Sequence, residues 1–184
     1  NNILGTNLII DAAVRFECET FVLISTDKAV KPSSIMGATK RIAELLCAHK
    51  NTQVLTNFIT VRFGNVLGST GSVVPLFRTQ IEDGGPVTVT HPDARRYFMT
   101  VSEASQLILE ASTTGSGGEV FVLDMGEPVN IRYLAEQVIR LSGKTLDRDI
   151  RIEYIGLRPG EKLDEELFHS DEELSRTKHE KLLL

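Results

Sequence analysis

Excess positive charge is the first thing this sequence lacks: twenty Lys and Arg stand against twenty-five Asp and Glu in 184 residues. A mildly acidic chain of this kind argues against nonspecific binding to nucleic acid, and an anionic substrate would need locally placed Arg or Lys. Cysteine is scarce. Cys18 and Cys47 lie in helix-like segments without zinc or redox spacing, so both are expected to be buried free thiols in a reducing, cytoplasmic compartment. His49, His91, His169 and His179 show no metal-ligand spacing, and no metal site is expected. A Gly-x-Ser-x-Gly elbow is missing, which excludes one large class of serine hydrolase. These residues contain no signal peptide and no apolar run long enough to span a bilayer. Internal repeats, low-complexity stretches and clear linkers are absent as well.

What is present reads as alternating strands and helices. The run Phe21-Val22-Leu23-Ile24 has no polar alternation and predicts a strand buried on both faces, with Thr26, Asp27 and Lys28 at its carboxyl end. Pro32 breaks the chain and Ser33 or Ser34 can cap the helix that follows, with Ile42, Leu45, Leu46 and His49 expected on one face. Residues 57–67 predict a second buried strand, ending near Gly64 and Asn65. Further on, residues 72–81 suit a short helix, 87–90 a small strand and 91–100 an Arg-rich loop. A helix over 101–112, a strand over 120–123 and a helix over 131–141 follow, the last with Leu134, Val138 and Leu141 inward. Residues 150–155 alternate as a half-buried strand would, and residues 163–168 suit an acidic helix whose charges, with Asp171, Glu172 and Glu173, form a solvated face. Strands alternating with helices imply an α/β protein with a parallel sheet, and the chain is long enough for one good core and part of another.

The string STDKAVKPSSIMGATKRIAELL carries more than secondary structure. A strand ending in Ser-Thr, then x-x-x-Lys on the next helix, resembles the extended short-chain dehydrogenase/reductase family. Its fuller match is to the UDP-N-acetylglucosamine 4,6-dehydratases of polysaccharide and O-antigen synthesis, in the long subgroup with Met in place of the usual Tyr. The resemblance implies a Rossmann-like sheet with a smaller substrate-binding lobe, NAD or NADP as cofactor and a UDP-sugar as substrate. It also implies a homo-oligomer, paired through helices that include the Met36 segment. Residues 1–70 correspond to the second half of the cofactor-binding lobe and 71–184 mainly to the substrate lobe, interleaved with the sheet, so the boundary near residue 70 is soft. The stretch Asn2 to Asn7 resembles a segment midway through that lobe, and the Gly-rich turn that holds a dinucleotide pyrophosphate is absent. The chain is therefore expected to be a fragment, with membrane attachment only through segments upstream.

The chemistry implied is removal of hydride from sugar C4, loss of water across C5 and C6, and return of hydride to C6. It needs a hydrogen-bonding partner for the C4 oxygen, a base at C5 and an acid at C6. The resemblance assigns these to Thr26, Lys28 and Asp27, against the alternative of a solvated Asp-Lys pair. Lys40 would bond the nicotinamide ribose, and Phe63 and Val66 would line the nicotinamide side. Met36 cannot take a proton, so either the C4 proton leaves through Thr26 to Lys28, Asp27 or water, or catalysis is weak. In the substrate lobe, Arg158 and Arg96 are assigned to the diphosphate with Asn65, Glu161 to ribose hydroxyls, and Ser72, Val73 and Val87 to the uracil. A 4- or 5-epimerase of the same family and a noncatalytic UDP-sugar-binding domain are the alternatives. A simple 4-epimerase usually keeps the Tyr and has small neutral residues at the Asp27 and Lys28 positions.

Overall fold

The computed structural model describes residues 1–69 and 71–184, so residue 70, where the lobe boundary is expected, lies outside the described residues. In chain order the elements are α1 (Leu4–Arg15), β1 (Thr20–Ile24), a 3-10 turn (Asp27–Ala29), α2 (Ile35–Asn51), β2 (Asn57–Arg62), β3 (Asn65–Val66) and α3 (Val73–Glu82). They continue as β4 (Val87–Val89), β5 (Arg95–Arg96), β6 (Phe98–Met99), α4 (Val101–Thr114), β7 (Val120–Leu123), β8 (Val129–Asn130), α5 (Ile131–Leu141), β9 (Ile152–Tyr154) and β10 (Leu182–Leu183). The protein is α/β with a parallel sheet. It divides into two compact units, the first made of Asn1–Gly64, Ser102–Met125 and Glu166–Leu184, the second of Asn65–Val101 and Gly126–Glu165.

The first unit is built on a four-stranded sheet of order β1-β2-β7-β10, in which β1, β2 and β7 run parallel and β10 returns antiparallel. Parallel pairing puts the carboxyl ends of β1, β2 and β7 on one edge, where open α/β sheets hold ligands. Central β2 is buried along residues 58–62, as its apolar and β-branched composition requires, and it stops at Arg62 rather than running on to Asn65. On one face Ile10 of α1 and Ala43 and Cys47 of α2 pack with Leu23 and Phe58. The buried residues of α2 are Gly37, Ala43, Glu44 and Cys47, whereas Ile42 and Leu45, expected together on one face, are exposed. Small residues on the inner side bring this helix close to the sheet; Leu46 packs partly against that core, while Ile42 and Leu45 are left outside. Ser34 is the residue that caps it, its hydroxyl accepting from the Gly37 N–H at 3.1 Å.

The second unit has its core between α3, α5 and the parallel pair β4–β9, centred on Phe77, Ile81, Val87, Val89, Ala135, Val138, Ile139 and Ile150. Its other pairs are β3 with β6, parallel, and β5 with β8, antiparallel. The expected loop over 91–100 thus contains two short strands. Each is two residues long, too short for a period to show, and exists because a partner elsewhere in the chain supplies its hydrogen bonds. Leu141 is 85% exposed, not inward, because the buried stripe of α5 runs through Ile131, Ala135, Val138 and Ile139.

The expected helix over 163–168 does not form. The Leu163 carbonyl accepts from the Arg95 N–H at 2.9 Å and from Arg96 Nη1 at 2.8 Å, so it is committed to β5 rather than to a helical turn. Cys18 is exposed after α1 while Cys47 is buried, so the pair of buried thiols is corrected to one. No helix among the described residues is long and apolar enough to cross a membrane.

Candidate active site

The end of β1 is fastened to β2 by main-chain bonds that outrun the strand: Ser25 N–H to Val61 O at 2.8 Å and Asp27 N–H to Phe63 O at 3.1 Å. Thr26 caps the 3-10 turn that follows, its hydroxyl oxygen accepting from the Lys28 N–H at 3.4 Å. The turn brings three side chains together. Asp27 Oδ1 accepts from the Thr26 hydroxyl at 2.8 Å and from Lys28 Nζ at 2.9 Å, with the Asp27 side chain fully buried and that of Lys28 27% exposed. Asp27 Oδ2 is buried and has no hydrogen-bond partner among the described residues. A buried oxygen without a partner carries a desolvation cost, which a substrate hydroxyl could offset.

Helix α2 presents Met36, Lys40 and Glu44 at four-residue spacing. Lys40 Nζ donates to the Ile24 carbonyl at 3.1 Å, which ties the helix to the strand end and leaves its other N–H groups for further acceptors. Those groups fit the ribose of a nicotinamide cofactor. Met36 is 44% exposed on the first turn, and Gly37 beside it lies against the main chain of Lys28. Phe63 is buried just beyond β2, and Val66 is half-buried in β3 of the second unit.

Behind the strand end lies a charged network that sequence reasoning missed. Arg62, fully buried, donates Nε to Glu44 Oε1 and Nη2 to Glu44 Oε2, both at 2.8 Å. Its Nη1 reaches Glu172 Oε1 and Oε2 at 3.0 and 2.8 Å. Burial alone would push the Glu44 carboxyl up, but the bonds and charge of Arg62, with those from Ser25 and Arg41, hold it below its ordinary range. The same balance of burial against Arg62 lowers Glu172, and burial opposed by the two carboxylates leaves the Arg62 guanidinium raised. A signal existed: a lone Arg in a strand read as buried on both faces must have a partner. Its partners could not be named, because Glu44 and Glu172 lie 18 and 110 residues away. The acidic run near the carboxyl end is solvated only in part, with Asp164, Asp171 and Glu173 exposed. Asp164 pairs with Arg95, Glu166 with Lys31 and Glu172 with Arg62, while Glu165 is only 8% exposed.

In the second unit, Asn65, Val73, Arg96, Arg158 and Glu161 line one cavity of about 180 Å³, with Thr88, Thr90 and Ile155 among its other walls. Arg96 is 7% exposed, and its Nη2 donates to Glu161 Oε1 at 2.9 Å, the oxygen that also accepts from the Thr90 hydroxyl at 2.9 Å. Glu161 Oε2 accepts from the Arg158 N–H at 3.1 Å, which fixes the loop that carries Arg158. The exposed Arg158 side chain has no ion-pair partner among the described residues. Ser72 stands at the start of α3 with a buried hydroxyl that has no partner among the described residues, and Val87 lies fully buried in the core; neither is among the cavity's lining residues.

Known proteins resemble this chain in sequence and fold to different degrees. The chain is 58% identical over 183 residues to the capsular polysaccharide biosynthesis protein CapD of Staphylococcus aureus, covering 99% of this chain and 30% of CapD. The X-ray structure of Pen from Bacillus thuringiensis superposes with a TM-score of 0.84 at 40% identity, over 91% of this chain and 52% of Pen. At 20% identity the dTDP-glucose 4,6-dehydratase DesIV of Streptomyces venezuelae, solved with NAD and TYD bound, shares the fold with a TM-score of 0.80, over 91% of this chain and 56% of DesIV. From residue 1 to residue 184 the sequence matches the polysaccharide biosynthesis protein family, and the chain belongs to that family.

Proposed function

We propose that this chain is the catalytic strand end and the substrate-anchoring unit of an NAD(P)-dependent nucleotide-sugar 4,6-dehydratase, acting on UDP-N-acetylglucosamine for bacterial surface polysaccharide. The observation that carries the reading is the Thr26–Asp27–Lys28 cluster, with Asp27 Oδ2 buried and unpartnered among the described residues. DesIV, whose fold this chain shares, is a dTDP-glucose 4,6-dehydratase, which is consistent with it.

The cofactor, when bound, accepts a hydride from the sugar and returns it. The protein's own side chains supply the proton chemistry. Thr26 Oγ1 is assigned to bond the sugar C4 oxygen. Lys28 Nζ and Asp27 Oδ1 are 2.9 Å apart, so one proton passing from the ammonium to the carboxylate creates a neutral amine and a carboxylic acid together. Those are the two forms that the elimination needs: the amine removes the C5 proton, and the acid protonates the departing C6 hydroxyl. Met36 cannot take a proton, so the C4 hydroxyl proton leaves through Thr26 to water, which keeps the Lys28 amine free for the C5 proton. Lys40, fixed on Ile24 O, holds the ribose and keeps a positive charge near the reacting centre. Phe63 and Val66 are assigned to the nicotinamide side.

Arg158 and Arg96, with Asn65, are assigned to the diphosphate, where a guanidinium matches phosphate oxygens with paired charged bonds. Glu161 takes the ribose hydroxyls, while Ser72 and Val73 serve the uracil side; Val87, buried in the core and off the cavity lining, is withdrawn from that role. A cavity of about 180 Å³ holds only a part of a nucleotide sugar, which suits an anchor for one portion of the substrate. Exposed Leu4 and Leu8 on α1, with Ile42 and Leu45 on α2, support pairing of two copies. Cytoplasmic placement, with any membrane attachment outside these residues, completes the reading.

The test is mass spectrometry of UDP-N-acetylglucosamine after incubation with NAD and the full-length protein that carries this sequence, beside the same protein with Lys28→Ala. Loss of one water with the first and not the second is expected. Unchanged mass with an altered sugar NMR spectrum would point instead to an epimerase. Bound UDP-sugar left intact would point to a binding domain.

A further inference from the structure

The Glu44 carboxylate sits where three restraints on the strand end meet. Its Oε1 accepts from the Ser25 hydroxyl at 2.5 Å and from Arg62 Nε, while Oε2 accepts from Arg62 Nη2 and from Arg41 Nη1 at 2.8 Å. Ser25 and Glu44 are each 3% exposed and Arg62 is fully buried. With both oxygens engaged by a planar guanidinium, the carboxylate cannot rotate, and the direction in which Ser25 is held is fixed. Ser25 sits between Ile24, whose carbonyl carries Lys40, and Thr26, which opens the reactive cluster. One turn before Glu44 on α2 stands Lys40, and one turn before that Met36. A buried ion pair is weak evidence for stability, since apolar residues of similar volume often serve as well. What such residues could not reproduce is the bond to the Ser25 hydroxyl.

We propose that Glu44, anchored by Arg62, is a positioning residue for the reaction: through Ser25 it sets the main chain from which Thr26, Asp27 and the Lys40 tether all hang. The inference rests on the dehydratase reading for its kinetic consequence, but not for its structural one. Ser25→Ala removes the link and leaves the Glu44–Arg62 pair whole, so it separates positioning from folding.

In the full-length protein, Ser25→Ala is expected to lower kcat by about 10²-fold, the scale of a small misplacement, while KM stays within about twofold. Hydrogen exchange followed by mass spectrometry should quicken over residues 24–30, where the Ser25 and Asp27 N–H groups bond to the Val61 and Phe63 carbonyls, and stay unchanged over β7. The denaturation midpoint should fall only by the loss of this one hydrogen bond, with the Glu44–Arg62 pair intact. Glu44→Gln added to Ser25→Ala should reduce kcat no further than Glu44→Gln alone, since the two act along one path. An unchanged kcat in Ser25→Ala overturns the inference, as does a fall accompanied by faster exchange throughout the sheet. If the wild-type protein fails to dehydrate UDP-N-acetylglucosamine, the functional reading falls by itself. The exchange over residues 24–30 then decides the inference: local loosening supports it, and no change overturns it.

Discussion

Gly37 and Lys28 are in contact through the absence of a side chain: a Cβ on Gly37 would run into the Lys28 carbonyl oxygen, with the Pro32 ring also close, at 3.2 Å. The first turn of α2 is thereby pressed onto the turn that presents Thr26, Asp27 and Lys28. Neither backbone can retreat easily, since the turn is bonded to β2 and the helix is tethered through Lys40. In an exposed helix Gly→Ala would stabilise by about 0.5–1 kcal/mol. Here Gly37→Ala is expected to destabilise by about 1–3 kcal/mol through overpacking. Urea denaturation of the variant checks the sign, and a stabilised protein would refute the close approach.

Arg62 gives a second, sharper case. Removing the guanidinium by Arg62→Met leaves Glu44 buried with its charge largely uncompensated, a loss of about 3–5 kcal/mol. Replacing Glu44 by Met as well removes the stranded charge, and much of the stability should return. Glu172, with its side chain 31% exposed, can turn to water. Denaturation of the two single variants and the double variant forms the cycle, and additive losses would contradict the pairing.

Much of this architecture is legible in the residues themselves. The strand over 120–123 and the helix over 131–141 fall where pattern places them, because each follows from local propensity and a regular apolar period. Thr26, Asp27 and Lys28 share one turn because they are adjacent in the chain, so their meeting needed no long-range information. Glu44, Arg62 and Glu172 are the opposite case. Whether a carboxylate is solvated or buried depends on the cation across from it, and no period in the chain encodes a partner 110 residues away. The acidic run misleads for the same reason: Leu163 is held by β5, so the segment never forms the helix that its composition suits. Val87 shows a milder form, since nothing in Val87-Thr88-Val89 says which side chains face the core and which the cavity.

Acid should unpick the buried network in a defined direction. Glu44 and Glu172 are both held below the ordinary carboxyl value of 4.5, net of burial, by their bonds to Arg62. A group whose pKa is lower folded than unfolded contributes stability that is complete above the ordinary value and is lost as pH falls through the folded one. Stability is therefore expected to decline as pH drops below 4.5, where the unfolded chain begins to bind protons that the folded protein refuses. Glu172→Gln should flatten that decline. Denaturation midpoints across pH 3 to 7 for both proteins test it, and parallel curves would exclude Glu172 as a contributor.

The anchoring cavity separates two kinds of residue. Glu161 bonds Arg96, Thr90 and the Arg158 main chain, so Glu161→Ala should cost stability as well as substrate affinity. Arg158, exposed and without an ion-pair partner among the described residues, should cost only affinity. Arg158→Ala is expected to leave stability within about 0.5 kcal/mol. It should weaken UDP-sugar binding by about ten- to a hundredfold, which corresponds to the loss of one or two charged hydrogen bonds. Calorimetry with UDP and with the UDP-sugar, beside a denaturation curve, distinguishes the two; equal binding by Arg158→Ala and wild type would remove Arg158 from the diphosphate assignment.

The two thiols offer a direct reading of burial near the network. Cys47 is 1% exposed on the inner side of α2, and its thiol is pushed up to about 11, first by burial and then by the neighbouring Glu44 charge. Cys18 is exposed in the connection between α1 and β1. Alkylation proceeds through the thiolate, so at pH 8 iodoacetamide should modify Cys18 and leave Cys47 intact in the folded protein. In denaturant both should react. Substituting Glu44 by Gln removes one of the two causes that raise the Cys47 thiol but leaves its burial, so Cys47 should remain protected in that variant as long as α2 keeps its seat on the sheet. Peptide mapping after alkylation reports this residue by residue, and ready labelling of Cys47 in the native wild-type protein would show that α2 does not lie on the sheet as described.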